Sequence, residues 1–408
     1  MKVIQFFYNG ACHINQAIDR WLTAPEPNAA GNMGIYRILY SLFYLWHLSS
    51  QFAVYLSGFS AVASSIPDVK KVYDVKWFGR WVESFGPPSP AFYQALEFVL
   101  VAALILLLFG YKTRWVTLVV IAVGCFIEAG YISFNFEHAS VLLVFFIPFF
   151  MVLGNGWGST YSLDAVLQKR RGRASVSPSS SHWRYTLATH SILVIVSFLF
   201  LTSAYFKMFE GGTWLVNRDL VANFVLRRNV QAAIDGLPLN HLAPWIAQTP
   251  LVFESLRIGT LVFEGFFFLA LFNRNLRDSF LAIALIFHSV NAIWMIVSFT
   301  PVLVVYGLFV DWQSAKAFLW DNRLSHKINP WPKVASKWLI FGLLFGAVAV
   351  GLLWNSSLNI RGLFNSGGLI NFRTIWFPVL PIALCWLVLS LSRASRFWLK
   401  QIPYGSYR

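Results

Sequence analysis

The chain contains 408 residues, of which 57% are hydrophobic, 18% aromatic and only 12% charged. These proportions and a mean hydropathy of +0.59 exclude an ordinary soluble protein and indicate an all-α polytopic membrane protein. A net charge of +15 would suit a nucleic-acid partner, but the basic residues lie in short clusters between apolar runs. Lipid headgroups and the cytoplasmic excess of Lys and Arg in membrane proteins explain that pattern better, so no nucleic acid is expected.

The N-terminal segment, residues 1–29, lacks a signal-peptide profile because Asn9 and other polar residues interrupt its apolar run. It is expected to form a short amphipathic helix on the membrane surface. The three cysteines, Cys12, Cys125 and Cys385, are widely spaced and give no disulfide framework or zinc pattern.

Apolar runs of about 20 residues predict the membrane-spanning helices. The runs lie near 33–56, 91–110, 114–133, 138–154, 185–207, 251–272, 277–297, 299–312, 338–355 and 374–392. Two of them, 138–154 and 299–312, are short enough to be half-spans. The expected fold is therefore a helical bundle of about eight to ten spans with no sizeable soluble domain.

Basic clusters between these runs fall on one side of the membrane if the spans alternate, and that side is then the cytoplasm. The clusters are Lys112 with Arg114, Lys169 to Arg173, Arg274 with Arg277, Lys316 to Lys337, and Arg393 to Lys400. The two longest loops, 57–90 and 208–250, then face outward and would cover a site for a polar substrate. An even number of spans would leave both termini in the cytoplasm.

The domain organisation follows from the same pattern. A transmembrane domain is predicted over residues 30–312, with a basic, serine-rich linker at 169–184 between two groups of its helices. A C-terminal pair of transmembrane helices is predicted within residues 313–408.

Lys207 is the most informative polar residue, because it ends the apolar run that begins at His190. An ammonium group in hydrocarbon costs about 2.5–3.5 kcal/mol on insertion scales. One interpretation is that Lys207 marks the outer end of a span and extends to the interface. The other is that burial favours its neutral amine, which could then accept a proton from an acidic substrate.

Glu137 and His138 open another span at the same expected face. An acidic residue there could simply complement the dipole of a helix N-terminus, with Asn135 as its cap. A carboxylate and an imidazole at the mouth of a span could instead bind a quinol hydroxyl.

Further polar residues lie within the apolar runs. His288 and Asn291 are three residues apart and share a helix face, which favours a polar pocket over an isolated interhelical hydrogen bond. Glu264 requires a partner, such as Lys207, His288 or Arg257. Arg37 stands near the start of the first span and could extend its side chain to the interface.

No metal-binding, P-loop, dinucleotide-binding or nucleophile-elbow motif is recognised in the sequence. No inverted repeat suggests a transporter. Haem ligation by His138 and His288 stays open as an alternative. The residues alone thus predict a membrane protein with a polar intramembrane site and no metal.

Six short motifs, taken in order, resemble the membrane domain of the vitamin K-dependent gamma-carboxylases and their bacterial relatives, the HTTM family. They are Tyr36-Arg-Ile-Leu39, Gly110-Tyr-Lys-Thr-Arg114, Glu137-His138, Trp157-Gly-Ser-Thr-Tyr-Ser-Leu-Asp164, Ala204-Tyr-Phe-Lys207 with Trp214, and Phe287-His288 with Asn291. The resemblance covers roughly residues 30–312.

This resemblance implies an enzyme that uses a reduced quinone, either vitamin K hydroquinone or menaquinol. Lys207 would be the base that deprotonates the quinol, while His138 and His288 would hold the quinol or the reactive oxygen. Residues expected to bind quinone or substrate are Glu137, Asn291, Glu264, Trp214, Tyr205 and Arg37. In the family, oxygen addition then gives a base strong enough to remove a proton from a peptide glutamate, which captures carbon dioxide.

Two departures modify this expectation. The carboxylases carry a sizeable lumenal domain after their spans, whereas here two more apolar runs follow, so peptide capture by such a domain is not expected. Glu137 also stands near the position of a paired Asn, which would change the charge of the site.

The alternative function is an accessory or maturation protein for a secreted peptide, as proposed for some bacterial relatives. The resemblance also implies a bacterial cell membrane as the location, with lipid and quinone as partners.

Overall fold

A computed structural model gives the structure of residues 15, 16, 18–63, 75–132, 141–210, 214, 219–234, 242–294, 299–315 and 376–401. Helices make up most of these ranges, and no β-strand occurs within them. The all-α prediction is confirmed for this part of the chain.

Thirteen α-helices are numbered here in chain order. They are α1 (Ala29–Ala63), α2 (Lys76–Phe85), α3 (Pro90–Phe109), α4 (Thr113–Ile132), α5 (Ile147–Gly154), α6 (Leu163–Arg170), α7 (Leu187–Tyr205), α8 (Leu220–Ile234), α9 (Ala243–Gln248), α10 (Pro250–Phe266), α11 (Arg274–Trp294), α12 (Pro301–Gly307) and α13 (Trp376–Gln401). Shorter turns adjoin them: π-helical turns at Leu142–Phe146 and Phe206–Glu210, and 3₁₀ turns at Trp183–Tyr185 and Phe267–Leu271.

Four helical segments within the described ranges are long and apolar enough to cross a membrane. They are Pro90–Phe109, Thr113–Gly130, Leu187–Phe209 and Arg274–Ile293. Each overlaps a span predicted from the sequence. The larger count of eight to ten spans is not confirmed.

The other predicted spans differ in outcome. The run at 138–154 contains the shorter apolar helix Leu142–Gly154, and the run at 374–392 contains the apolar part of α13. The run at 299–312 contains the seven-residue α12, which begins at Pro301, a position that proline favours, and ends at Gly307. The run at 338–355 lies outside the described residues.

The ends of α3 illustrate how the sequence sets the limits of a span. Ser89 caps its first turn by accepting a hydrogen bond from the Phe92 N–H at 3.2 Å, and Pro90 occupies the first turn. Gly110 ends the helix in the left-handed conformation, with φ at 70°. A side chain at Gly110 would also meet Arg37, since a Cβ there would lie 2.5 Å from Nη1. Glycine is therefore required at this turn for two reasons.

The chain divides into two compact units, with the boundary between Ile192 and Leu193 inside α7. One comprises Met1–Ile192 and Pro301–Ile328, and the other comprises Leu193–Thr300 and Asn329–Arg408. In the first unit α1 packs against α3, and α3 packs against α4. In the second unit α11 packs against α13, and α10 packs against α8 and α9.

Arg37 ties together three segments of the first unit. It is fully buried, and its two Nη atoms donate hydrogen bonds to backbone carbonyls. The acceptors are Trp157 at 3.0 Å, Tyr161 at 2.6 Å, Leu108 at 3.4 Å and Thr160 at 3.5 Å. Arg37 therefore does not extend to the interface, as the sequence had suggested it could. Its guanidinium joins α1 to the end of α3 and to the segment before α6.

Asp164 adds a second link at the same place. Its carboxylate accepts hydrogen bonds from the backbone N–H groups of Lys112 and Thr113, each at 2.8 Å, and from the Thr113 hydroxyl at 2.9 Å. These N–H groups begin α4, where a negative charge also complements the helix dipole. The start of α4 is thus stabilised by a residue about 50 positions further along the chain.

Replacing Asp164 with alanine should destabilise the first unit by about 1–2 kcal/mol, because it removes the only carboxylate described at this helix start. Thermal unfolding of the purified protein in detergent would measure the loss. Asp311→Ala is the matched control, since Asp311 also accepts two hydrogen bonds, but both come from Ser314 in its own turn. Equal melting temperatures for the two variants would contradict the long-range role of Asp164.

Candidate functional site

Lys207 lies directly after α7, in the π-helical turn Phe206–Glu210. Such a turn widens the helix locally and is often found at functional sites. Ser203 stands four residues before Lys207, so its hydroxyl lies on the same side of the helix. Ser203 was not among the residues predicted from the sequence, although its four-residue spacing from Lys207 is visible there.

Lys207 and Glu264 form an ion pair. The Lys207 Nζ lies 2.5 Å from Oε1 and 2.6 Å from Oε2 of Glu264. It also lies 2.8 Å from the Ser203 Oγ. An ammonium group has three N–H donors and no acceptor, so these three oxygens account for all of its hydrogens. Of the partners expected for Glu264 from the sequence, the structure selects Lys207.

Because both side chains are largely buried, the electrostatic attraction between them is strong. The Lys207 side chain is 19% exposed and the Glu264 side chain only 5%. Opposite charges attract more strongly at such sites than in water, and each partner would be costly to bury alone. Each residue is therefore the counter-ion that offsets the cost of burying the other.

The helix α10 has one exposed apolar face and a separate buried face that carries Glu264. Ile258, Val262 and Phe266 are spaced by four residues and are all exposed, as expected of a face that contacts lipid. Glu264 and its neighbour Phe263 are buried on another face. The carboxylate therefore points into the protein, towards the end of α7.

Trp214 covers the ion pair. The Lys207 Nζ lies 5.2 Å from the centroid of the Trp214 ring, a geometry that permits a cation–π interaction. The Trp214 carbonyl accepts a hydrogen bond from Arg257 Nη1. Arg257 also pairs with Glu254, with Nη2 and Oε2 2.7 Å apart. Trp214 is thus held from both its ring and its backbone.

The outer loop predicted at 208–250 contains the helices that support Trp214. Buried side chains of α8, α9 and the first turn of α10 form one apolar cluster, and Trp214 packs against it. The buried members are Val221, Ala222, Val225, Ala243, Ile246 and Phe253. In this part of the chain the loop is a small helical layer next to the ion pair.

His288 lies in an aromatic environment in the same unit. Its ring centroid is 5.2 Å from those of Phe287 and Phe299, 6.1 Å from Trp376 and 6.2 Å from Phe200. Phe200 in turn contacts Phe263, whose centroid is 5.0 Å away and which precedes Glu264. Aromatic side chains therefore connect His288 to Phe263, the residue before Glu264. Asn291 follows one turn later and is half-buried.

The remaining predicted site residues lie elsewhere. Tyr205 is 54% exposed, and its ring packs on Phe209 with centroids 5.1 Å apart. Arg37 belongs to the first unit and binds backbone carbonyls there. Glu137 and His138 lie outside the described residues. The structure thus brings together Lys207, Glu264 and Trp214 from the predicted set.

No cluster of three or more His, Cys, Asp or Glu residues that could hold a metal occurs within the described ranges. No known protein family, curated protein or solved structure matches the chain. The geometry of the site is therefore the starting point for inferring a function.

Removing one member of the ion pair should destabilise the protein more than removing both. Lys207→Met or Glu264→Leu alone should cost about 3–5 kcal/mol, because each leaves a buried charge without its counter-ion. The double variant should recover most of that loss, and thermal unfolding in detergent would show it.

Lys169→Met serves as the control, because Lys169 lies on the exposed helix α6 and its replacement should leave the melting temperature unchanged. If the double variant lost the sum of the two single losses, the charges would not be coupled.

Proposed function

We propose that this protein is a membrane enzyme that removes a proton from a reduced quinone, either menaquinol or vitamin K hydroquinone, and oxidises it with oxygen. The observation that carries the proposal is the buried pair of Lys207 and Glu264, with Nζ–O distances of 2.5 and 2.6 Å, at the end of the apolar segment Leu187–Phe209. The motif resemblance to the HTTM family supports the same reaction.

The hydrogen bonds of the pair favour a particular division of roles. The Lys207 ammonium directs its N–H groups at three oxygens and has no lone pair with which to accept a further proton. The Glu264 carboxylate keeps further lone pairs. Glu264 therefore accepts the proton, and Lys207 holds that carboxylate ionised until the proton arrives. This assigns the base role to the pair instead of to lysine alone.

The surroundings suit a lipid-soluble substrate that carries one acidic hydroxyl. Exposed apolar side chains of α10, and exposed Phe206 and Phe209 beside Lys207, offer a path from the bilayer. The aromatic side chains around His288 limit access of water, which protects a base from unwanted protonation. A reduced quinone supplies the acidic hydroxyl and, with one molecule of oxygen, yields its epoxide and one molecule of water.

Purified protein in lipid nanodiscs should form quinone epoxide when given menaquinol or vitamin K hydroquinone and oxygen, as measured by mass spectrometry. Lys207→Met and Glu264→Gln should each lower the rate about 100-fold or more, since general-base catalysis typically contributes about 10²–10⁴-fold. Lys207→Arg should retain part of the activity, because a cation beside Glu264 is preserved.

Lys169→Met is again the control and should keep the wild-type rate. Wild-type protein that makes no epoxide from any of these quinols would refute the proposed reaction. Equal rates for wild type and both pair variants would remove the pair from the mechanism. Added labelled carbon dioxide would test separately whether a peptide glutamate is carboxylated.

A second candidate is an accessory protein for a secreted peptide. It is favoured by the complete hydrogen bonding of the Lys207 ammonium and by the Trp214 ring beside it, which also suit a purely structural anchor. Co-purification of a small secreted protein, with binding unchanged in Lys207→Met, would support this function over catalysis.

A further inference from the structure

The helix α2 (Lys76–Phe85) has three distinct faces. Phe78, Gly79 and Val82 are buried on the first face. The ring of Phe78 packs on Phe126 of α4, with centroids 5.2 Å apart. This face fixes α2 to the first unit.

The second face is an aromatic stripe. Trp77, Trp81 and Phe85 are spaced by four residues and so project from the same side of the helix. Trp77 is 51% exposed and Phe85 is 75% exposed. A contiguous stripe of exposed aromatic side chains marks a surface that contacts another protein or a membrane.

The third face is polar and adjoins the stripe. Lys76, Arg80 and Glu83 are all exposed, and successive members are three or four residues apart. An aromatic stripe bordered by basic residues is the pattern of a helix that lies in the plane of a membrane surface. Trp is also the residue that accumulates at the level of lipid headgroups.

The position of α2 agrees with that chemistry. Trp81 contacts Phe92, in the first turn of α3, at 6.2 Å and Phe126, near the end of α4, at 5.0 Å. Phe92 and Phe126 also contact each other, at 5.8 Å, so the start of α3 and the end of α4 lie side by side. Both helices are candidate spans. The stripe therefore lies where two apolar spans end, opposite the basic turn that joins them.

We propose that α2 is an in-plane anchor whose stripe of Trp77, Trp81 and Phe85 inserts between phospholipid headgroups and the upper part of the acyl chains. Lys76 and Arg80 then lie beside the lipid phosphates, where their charge is complementary. This surface is independent of the reaction proposed above. It binds lipid, not a second protein, because Lys76 and Arg80 border the aromatic stripe along its length and complement lipid phosphates.

Spin labels on single cysteines test the proposal. Cys12, Cys125 and Cys385 are first replaced by serine, and labels are then attached at Trp77→Cys, Phe85→Cys or Glu83→Cys in liposomes of phosphatidylethanolamine and phosphatidylglycerol. Accessibility to oxygen, which concentrates in the bilayer, is compared with accessibility to a water-soluble nickel chelate. The labels at 77 and 85 should give a severalfold higher oxygen-to-nickel ratio than the label at 83.

Two results would overturn the proposal. Labels at 77 and 85 that favour the nickel chelate would place the stripe in water. Labels shielded from both reagents would mean that a protein, or a second copy of this chain, covers it. Phe85 is at the exposed helix end, so Phe85→Cys removes little packing and gives a result even if Trp77→Cys prevents assembly.

Discussion

A charged side chain among apolar helices is stable only if the protein supplies the hydrogen bonds and the counter-charge that replace its hydration. Lys207 and Glu264 meet this constraint by pairing with each other, and Ser203 supplies the third acceptor of the ammonium. The pair fixes the end of α7 against α10, and through the Trp214 ring it also fixes the helical layer of α8 and α9. The geometry of the candidate site follows from this one interaction.

Arg37 satisfies the same constraint in a different way, without a carboxylate among its hydrogen-bond acceptors. Its guanidinium is held by backbone carbonyls, which cannot take up a proton under ordinary conditions. The Lys207–Glu264 pair contains a carboxylate, and a carboxylate can accept a proton. Three of the motifs noted in the sequence, at Arg37, at Gly110 to Arg114 and at Trp157 to Asp164, come together where Arg37 and Asp164 join α1, α3, α4 and the segment before α6. They serve the fold of the first unit. The motifs at Lys207 and at His288 lie in the second unit, where Lys207 pairs with the buried carboxylate of Glu264.

The sequence predicts some of these features well because they are local. The spans at 91–110, 114–133, 185–207 and 277–297 require only a continuous apolar run, and each overlaps an apolar helix of the structure. The number of spans is harder to predict from the sequence. Short apolar runs such as 299–312 resemble membrane segments, but the helix that begins there at Pro301 has only seven residues. The sequence identifies Glu264 as a residue that needs a partner, but Lys207 is 57 residues away, and only the fold selects it over Arg257. The role of Arg37 was not predictable, since its acceptors are backbone carbonyls and leave no mark in the sequence.

The central claim is that Glu264, held ionised by Lys207, receives the proton of the substrate. Infrared difference spectroscopy of the protein in bilayers tests this most directly, with menaquinol added in the absence of oxygen. A carboxylic-acid carbonyl band should appear in the wild-type protein and be missing in Glu264→Gln. A wild-type spectrum without that band when menaquinol is bound, or the same band in Glu264→Gln, would contradict the account.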